Sequence, residues 1–397
     1  VTLPFWAPAA ALRPSLIRQI FDAAPPGALN MGLGMPDLPA PRIALDAAAR
    51  ALAQGDAPYT PNAGAPSLRR AVATLYGAWS READVPDWVQ PEGVVITAGV
   101  QEALFVALRA LCAPGSALLI PDPGFPAYAM IAQLLGLRAL PYRCAAAEGY
   151  APTAAAIADA LTDDTSAVIL NSPGNPTGAV ASAGELARIT ALLEARGVPF
   201  VSDEIYDRYC WRGPHASPGA SSRQGVVISG LSKSANLMGW RLGWLLAPPG
   251  SAAPFIAVHQ AVCTCASQLS QAAAEPVVLA LAGQGDAAEI HQNLAVFAQR
   301  RDRALAALAR HGLTAAPADG AFYLWVHVAD RLAPGEDDLA FCLRLLREQA
   351  LIAIPGQGFG DAGRGFVRLA YTCAALEDGI DRLAAALALP PGAPPHA

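Results

Sequence analysis

Between about Ile43 and Leu246, short apolar, β-branched runs alternate with Ala/Leu-rich helical stretches, and this alternation restricts the fold more than any other feature of the chain. Strands are expected over residues 94–97, 117–120, 167–171, 200–203, 226–229 and 242–246. Stretches between them, such as 101–111 and 185–196, carry apolar residues at spacings of three and four, the repeat of a helix face. Strand and helix in alternation predict an α/β fold with a mostly parallel sheet sandwiched by helices. In such a sheet, ligands sit at the carboxyl ends of the strands.

After about Gln284 the pattern changes. A long helical stretch over 293–311 is followed by expected strands at 321–328, 351–354 and 366–371 with helices between them, a small α+β arrangement. The expected organisation is therefore a large domain over 42–284 and a small domain built from 1–41 and 285–397, the N-terminal segment being too short to fold alone. The closing PPGAPPHA is expected to be disordered, and no internal repeat is visible.

Hydrophobic residues make up 53% of the 397 and charged residues 15%, which excludes a disordered chain. A net charge of -6, a pI near 5.5 and the lack of a basic run argue against nucleic acid or an acidic lipid surface as partner. Prolines interrupt the N-terminus and no basic leader precedes it, so it does not read as a signal peptide. No apolar run reaches the roughly 20 residues of a membrane span. The seven cysteines are odd in number and scattered, and Cys263-Thr-Cys265 has neither zinc-ribbon nor redox spacing. They are expected to be reduced thiols in a cytoplasm. The six histidines form no HxH or HxxxH pair, and no metal site is expected.

Of the 27 Lys plus Arg, a single one is lysine: Lys233, in ISGLSKSANLMGWRLGW. A guanidinium serves solubility, ion pairs and phosphate contacts equally well. Only lysine offers a primary amine that can lose its proton and attack a carbonyl carbon. Ser232 beside it and Arg241 eight residues on add a hydroxyl donor and a permanent cation. Three other motifs fall at expected strand ends. NSPGNPTG leaves a strand through a Pro/Gly turn and presents Asn175; read alone it is equally a turn. In SDEIYDRY, Asp203 ends a strand with Tyr206 three residues on, although a carboxylate there could simply cap a helix. ITAGVQEALF passes from strand to helix through Gly99, and the N–H groups of Val100 and Gln101 would suit a phosphate.

Together these motifs resemble the fold type I pyridoxal-phosphate enzymes, and specifically the class I/II aminotransferases of the aspartate aminotransferase-like superfamily. LGMPDLPAP, YTPNAGAPSLRRAVA, NSPGNPTG, SDEIYDRY, SKSANLMGWRLGW, IPGQGFG and FVRLAY are similar to the family's blocks and stand in the family's order across nearly the whole chain. The resemblance implies that Lys233 holds pyridoxal 5'-phosphate as a Schiff base and then moves the proton at the substrate α-carbon. It makes Asp203 the partner of the pyridine nitrogen. A charge pair at about 4 Å and an effective dielectric of about 20 is worth about 4 kcal/mol, or roughly 3 pKa units, enough to offset desolvation.

By the same resemblance Asn175 and Tyr206 donate to the cofactor's phenolate oxygen. Ser232, Arg241 and the Val100 and Gln101 amides hold its phosphate, and Phe125 lies on its ring. Relatives often carry a serine where this chain has Gly230, and Ser229 is the candidate stand-in. Arg368, with the Gly34 backbone beside it, clamps the substrate carboxylate. Tyr59 reaches the phosphate of a neighbouring subunit, which implies a homodimer with shared sites. The implied reaction exchanges an amino group between an L-amino acid and a 2-oxo acid. The alternative is another fold type I chemistry such as a carbon–sulfur β-lyase. A transcription regulator is disfavoured because the first block begins near Gly32. The expected lining residues Leu16, Ile17, Phe125, Phe322, Tyr323 and Phe359 lean toward neutral, apolar or aromatic substrates.

Overall fold

The computed structural model describes residue 3 and residues 5–55, 57–80 and 88–388. The expected disorder of 390–397 lies outside them. In chain order the strands are β1 (Leu29–Asn30), β2 (Val94–Thr97), β3 (Ala117–Asp122), β4 (Arg138–Arg143), β5 (Thr165–Asn171), β6 (Phe200–Asp203), β7 (Gly225–Gly230), β8 (Gly243–Leu246), β9 (Tyr323–His327), β10 (Leu351–Ile352), β11 (Ile354–Pro355) and β12 (Phe366–Ala370).

Seven of them form the main sheet in the order β2-β8-β7-β6-β5-β3-β4. Only β8 runs against the others, lying antiparallel to both β2 and β7. The remaining neighbours are parallel, as the alternation of strand and helix requires. The inner strands β6 and β8, and β2 at one edge, are buried at every position because helices cover both faces. Helix Val100–Leu111 packs against β2, β5, β6, β7 and β8 and shows why: Ala103, Leu104, Val106, Ala107 and Leu108 form its buried side.

The sequence reading omitted β4. Its residues RALPYR expose Arg138, Pro141 and Arg143 and bury only Tyr142, as an edge strand that pairs on one side only allows. Residues 351–354, expected as one strand, divide instead. β10 pairs in parallel with β1, whereas β11 pairs antiparallel with β12, in a three-stranded sheet ordered β11-β12-β9. The chain changes sheets at Ala353, which is fully buried.

The N-terminal segment touches both parts of the chain: β1 pairs with β10, and Ala7–Ala11 packs on helix Ala127–Leu135, where Gln133 donates to the Pro8 carbonyl at 3.1 Å. The long helix spans Ala288–Arg310 and packs against Leu376–Ala388. Among the described residues, no helix is long and apolar enough to cross a membrane.

Candidate active site

The carboxyl ends of β2, β3, β5, β6 and β7 and the amino end of β8 open on one cavity of about 420 Å³. Register brings its polar residues level: Asn171 lies opposite Asp203, and Gly243, two residues past Arg241, lies opposite both Thr97 and Gly230.

At the end of β2 the chain turns through Gly99, whose φ of 92° is the left-handed region that favours glycine. A Cβ there would sit 2.6 Å from the Arg241 guanidinium. Glycine thus lets a cation close on the start of helix Val100–Leu111. The Gly99 carbonyl accepts from the Glu102 and Ala103 N–H groups, so the Val100 and Gln101 amides precede the first intrahelical bonds and are the orphan donors of the helix start. With Ser232 and Arg241 they suit a phosphate dianion.

Asp203 closes β6 and is buried. The Tyr128 hydroxyl donates to its Oδ2 at 2.9 Å and the Ile205 N–H to its Oδ1 at 3.3 Å. Burial pushes its carboxyl up to about 6, against the Tyr128 hydrogen bond, so it remains largely ionised at neutral pH. Lys233 donates from Nζ to the Gly34 carbonyl at 2.8 Å. Burial, aided by the Arg368 and Arg241 charges, brings its ammonium down to about 8. An amine in that range can shed its proton near neutrality.

Arg368 on β12 is 1% exposed, with its guanidinium 4.3 Å from the Tyr323 ring centroid and 4.7 Å from that of Phe359. Nη1 donates to Asn175 Oδ1 at 2.7 Å and Nη2 to the Gly32 carbonyl, while Nε has no partner. A buried cation that lines a cavity with an unsatisfied donor invites an anion. Tyr206 and Tyr323 share a hydrogen bond between hydroxyls at 2.8 Å. A primary amine, a buried carboxylate, a phosphate cradle and a second guanidinium thus converge, and this donor set fits pyridoxal phosphate together with an amino acid.

The family model of "Aminotransferase class I and II" matches residues 26–387. The chain belongs to that family. A Bacillus subtilis protein named "Probable N-acetyl-LL-diaminopimelate aminotransferase" is 36% identical over 89% of this chain and 88% of its own length. The "Valine--pyruvate aminotransferase" of Mycobacterium tuberculosis is 34% identical over 86% of each chain. Among solved structures, an aminotransferase from Mycobacterium tuberculosis superposes with a TM-score of 0.88 at 32% identity, over 98% of this chain and all of its own. The protein is therefore a pyridoxal-phosphate-dependent aminotransferase of fold type I.

Within this aminotransferase, the sequence-derived residues Gly34, Val100, Gln101, Phe125, Asn175, Asp203, Tyr206, Ser232, Lys233, Arg241 and Arg368 all line the cavity. Tyr59 does not; it is 87% exposed. Of the expected apolar lining, Ile17, Phe125 and Tyr323 face the cavity, whereas Leu16, Phe322 and Phe359 are not among its lining residues. The Phe322 ring lies 5.8 Å from Lys233 Nζ. Ser229 is no stand-in at the cavity: it is fully buried and donates to the Glu204 carbonyl at 3.1 Å. A Cβ at Gly230 would lie 2.8 Å from Gly243 Cα and from the Leu242 carbonyl oxygen, which explains the missing serine.

Sequence reasoning missed Tyr128, Asn171 and Arg18. Tyr128 stands three residues after Phe125 in PDPGFPAY, just inside the helix that Phe125 precedes, and that nearness is its one local signal. Asn171 donates from Nδ2 to the Asp203 carbonyl at 2.9 Å and accepts the Asn175 N–H at 2.9 Å, so it braces two site residues at once.

Proposed function

We propose that this aminotransferase moves the amino group of a neutral, apolar or aromatic L-amino acid to a 2-oxo acid, in two half-reactions at one site. The observation that carries the substrate class is the lining beyond the polar residues. Ile17, Leu33, Met35, Leu104, Phe125 and Met238 are apolar, and Arg18, the cation that could meet a distal carboxylate, is held by Asp22 at 2.8 Å. When bound, pyridoxal phosphate supplies a carbonyl carbon and a ring that accepts electrons from the substrate α-carbon.

The chain's own residues do the rest. Lys233 presents an amine whose lowered pKa leaves it free to take the α-proton and return it elsewhere. Asp203, braced by Tyr128 and Asn171, would hold a proton on the pyridine nitrogen. Tyr206 and the Asn175 amide group would donate to the phenolate oxygen, the Asn175 carbonyl being taken by Arg368. Arg368 fixes the substrate carboxylate, so that the α-hydrogen faces Lys233. Initial rates on aspartate, glutamate, phenylalanine, leucine, methionine and alanine test the assignment. At least one neutral substrate is expected to exceed both acids in kcat/KM, and a preference for aspartate over every neutral amino acid overturns it.

We assign residues 42–284 to the large cofactor-binding domain, and residues 1–41 and 285–397 to the small domain that carries Arg368. Seven unpaired cysteines support work in a reducing, cytoplasmic compartment. The exposure of Tyr59 supports a homodimer in which it completes the neighbour's phosphate site. Subunit exchange between Lys233→Ala and Tyr59→Ala proteins tests this. A hybrid dimer has one site with both defects and one with neither, so random mixing restores about a quarter of wild-type activity. Activity that stays at the parental level after exchange is confirmed by mass places Tyr59 in its own chain's site.

A further inference from the structure

Behind the phosphate cradle lies a second cluster that the aminotransferase chemistry leaves unused. Glu102, in the first turn of helix Val100–Leu111, meets His259 and Cys263 on helix Ala252–Cys263. The two latter residues are four apart and therefore share one helix face. Glu102 divides its carboxylate: Oε2 accepts the Ala98 N–H, while Oε1 lies 2.8 Å from His259 Nδ1 and 3.2 Å from Cys263 Sγ. The Cys263 Sγ to His259 Nδ1 separation is 3.7 Å.

Those three edges can be set against a tetrahedral zinc site. With Zn–S near 2.3 Å and Zn–N and Zn–O near 2.0 to 2.1 Å, ligand atoms stand about 3.3 to 3.6 Å apart. Movements of a few tenths of an ångström would bring the trio to that geometry. Nitrogen, oxygen and sulfur together are the donors of a borderline divalent ion and do not suit magnesium or calcium. His259 is fully buried with its Nε2 unpartnered, so among the described residues the ring's polar contacts are those Nδ1 makes inside the cluster. Cys263 is only partly buried and stands at the end of its helix, next to a turn in which the Cys265 N–H donates to the Cys263 carbonyl at 2.7 Å. An ion therefore has a route from solvent on that side.

We propose that Glu102, His259 and Cys263 form a site for a zinc-class divalent cation, with water in the fourth position. The histidine pattern alone conceals it, since His259 pairs with a cysteine on its own helix and a glutamate far away in sequence. Binding replaces the thiol S–H bond by a metal–sulfur bond and releases one proton. The carboxylate and thiolate then neutralise the ion's two charges. Because binding releases the thiol proton, affinity should rise with pH. The role is structural: the ion ties the first turn of the phosphate-binding helix to the helix beside it, leaving the Glu102 bond to Ala98 in place.

The test uses cofactor-loaded enzyme stripped with a chelator, then titrated with Co²⁺ and Zn²⁺. One ion per chain is expected, with a thiolate-to-cobalt absorption and a melting temperature that rises with added Zn²⁺. Cys263→Ser and His259→Asn should each lose at least tenfold in affinity, and Cys263→Ser should abolish the thiolate absorption. Cys265→Ser should keep both. Retention of the cofactor spectrum verifies that each variant is folded, and Cys263→Ala repeats the measurement if the serine variant is not. No stoichiometric binding by the wild type, or undiminished binding by Cys263→Ser and His259→Asn, overturns the proposal. None of these readouts depends on the substrate or on turnover.

Discussion

Replacing Lys233 with alanine should lower amino-acid turnover by more than about 10⁴-fold, the upper range of positioned proton transfer alone, because the amine that attacks and the base that moves the proton are lost together. Lys233→Arg should fare no better. It keeps the charge beside the Gly34 carbonyl but presents a guanidinium that does not deprotonate. Single-turnover absorbance of the loaded enzyme with excess amino acid measures the loss. Borohydride reduction followed by peptide mapping supplies an independent readout: wild-type enzyme should carry the cofactor label on Lys233, the one lysine among its 397 residues. A label found elsewhere, or an arginine variant within tenfold of wild type, would remove Lys233 from the reaction.

Arg368→Ala should cost about 2 to 5 kcal/mol in kcat/KM for amino acids, roughly 30-fold to several thousand-fold, because a desolvated substrate carboxylate would lose its bidentate partner. The same variant should leave the slow reaction of an amine without a carboxylate nearly unchanged. That contrast separates a clamp from a residue that merely supports the fold. Arg368→Lys should recover little, since an ammonium matches neither the carboxylate fork nor the flanking Tyr323 and Phe359 faces. Equal losses for the amino acid and the simple amine would falsify the assignment.

The sequence disclosed those parts of the fold whose burial is uniform. β2 and β6 have the expected bounds because each opens on apolar β-branched or aromatic residues and is buried at every position. β4 escaped because an edge strand can carry Arg138, Pro141 and Arg143 at little cost. The split at Ala353 escaped because four consecutive apolar residues do not indicate which of two sheets each will join. At the site, the residues that act on cofactor or substrate stand in motifs with spacing of their own. Of those that brace them, Asn171 is set by register between β5 and β6 and Tyr128 by how the helix Ala127–Leu135 packs against the strand end carrying Asp203. Arg18 reaches the cavity from Leu16–Asp22, a short helix whose local sequence carries no sign of where it docks.

The antiparallel placement of β8 has a mechanical consequence. Lys233 and Arg241 stand near the two ends of a single excursion, residues 231–242, whose stems Gly230 and Gly243 lie opposite each other in the sheet. The amine and the phosphate cation are thereby spaced by one covalent tether, pinned at both roots and wound into the short helical turns Leu231–Ser234 and Met238–Trp240. Such a tether acts as a ruler. Side chains along it can be exchanged as packing allows, but its length cannot change without moving the Lys233 amine relative to the Arg241 guanidinium. Inserted or deleted residues are thus tolerable in this aminotransferase at the far ends of the strands and intolerable here.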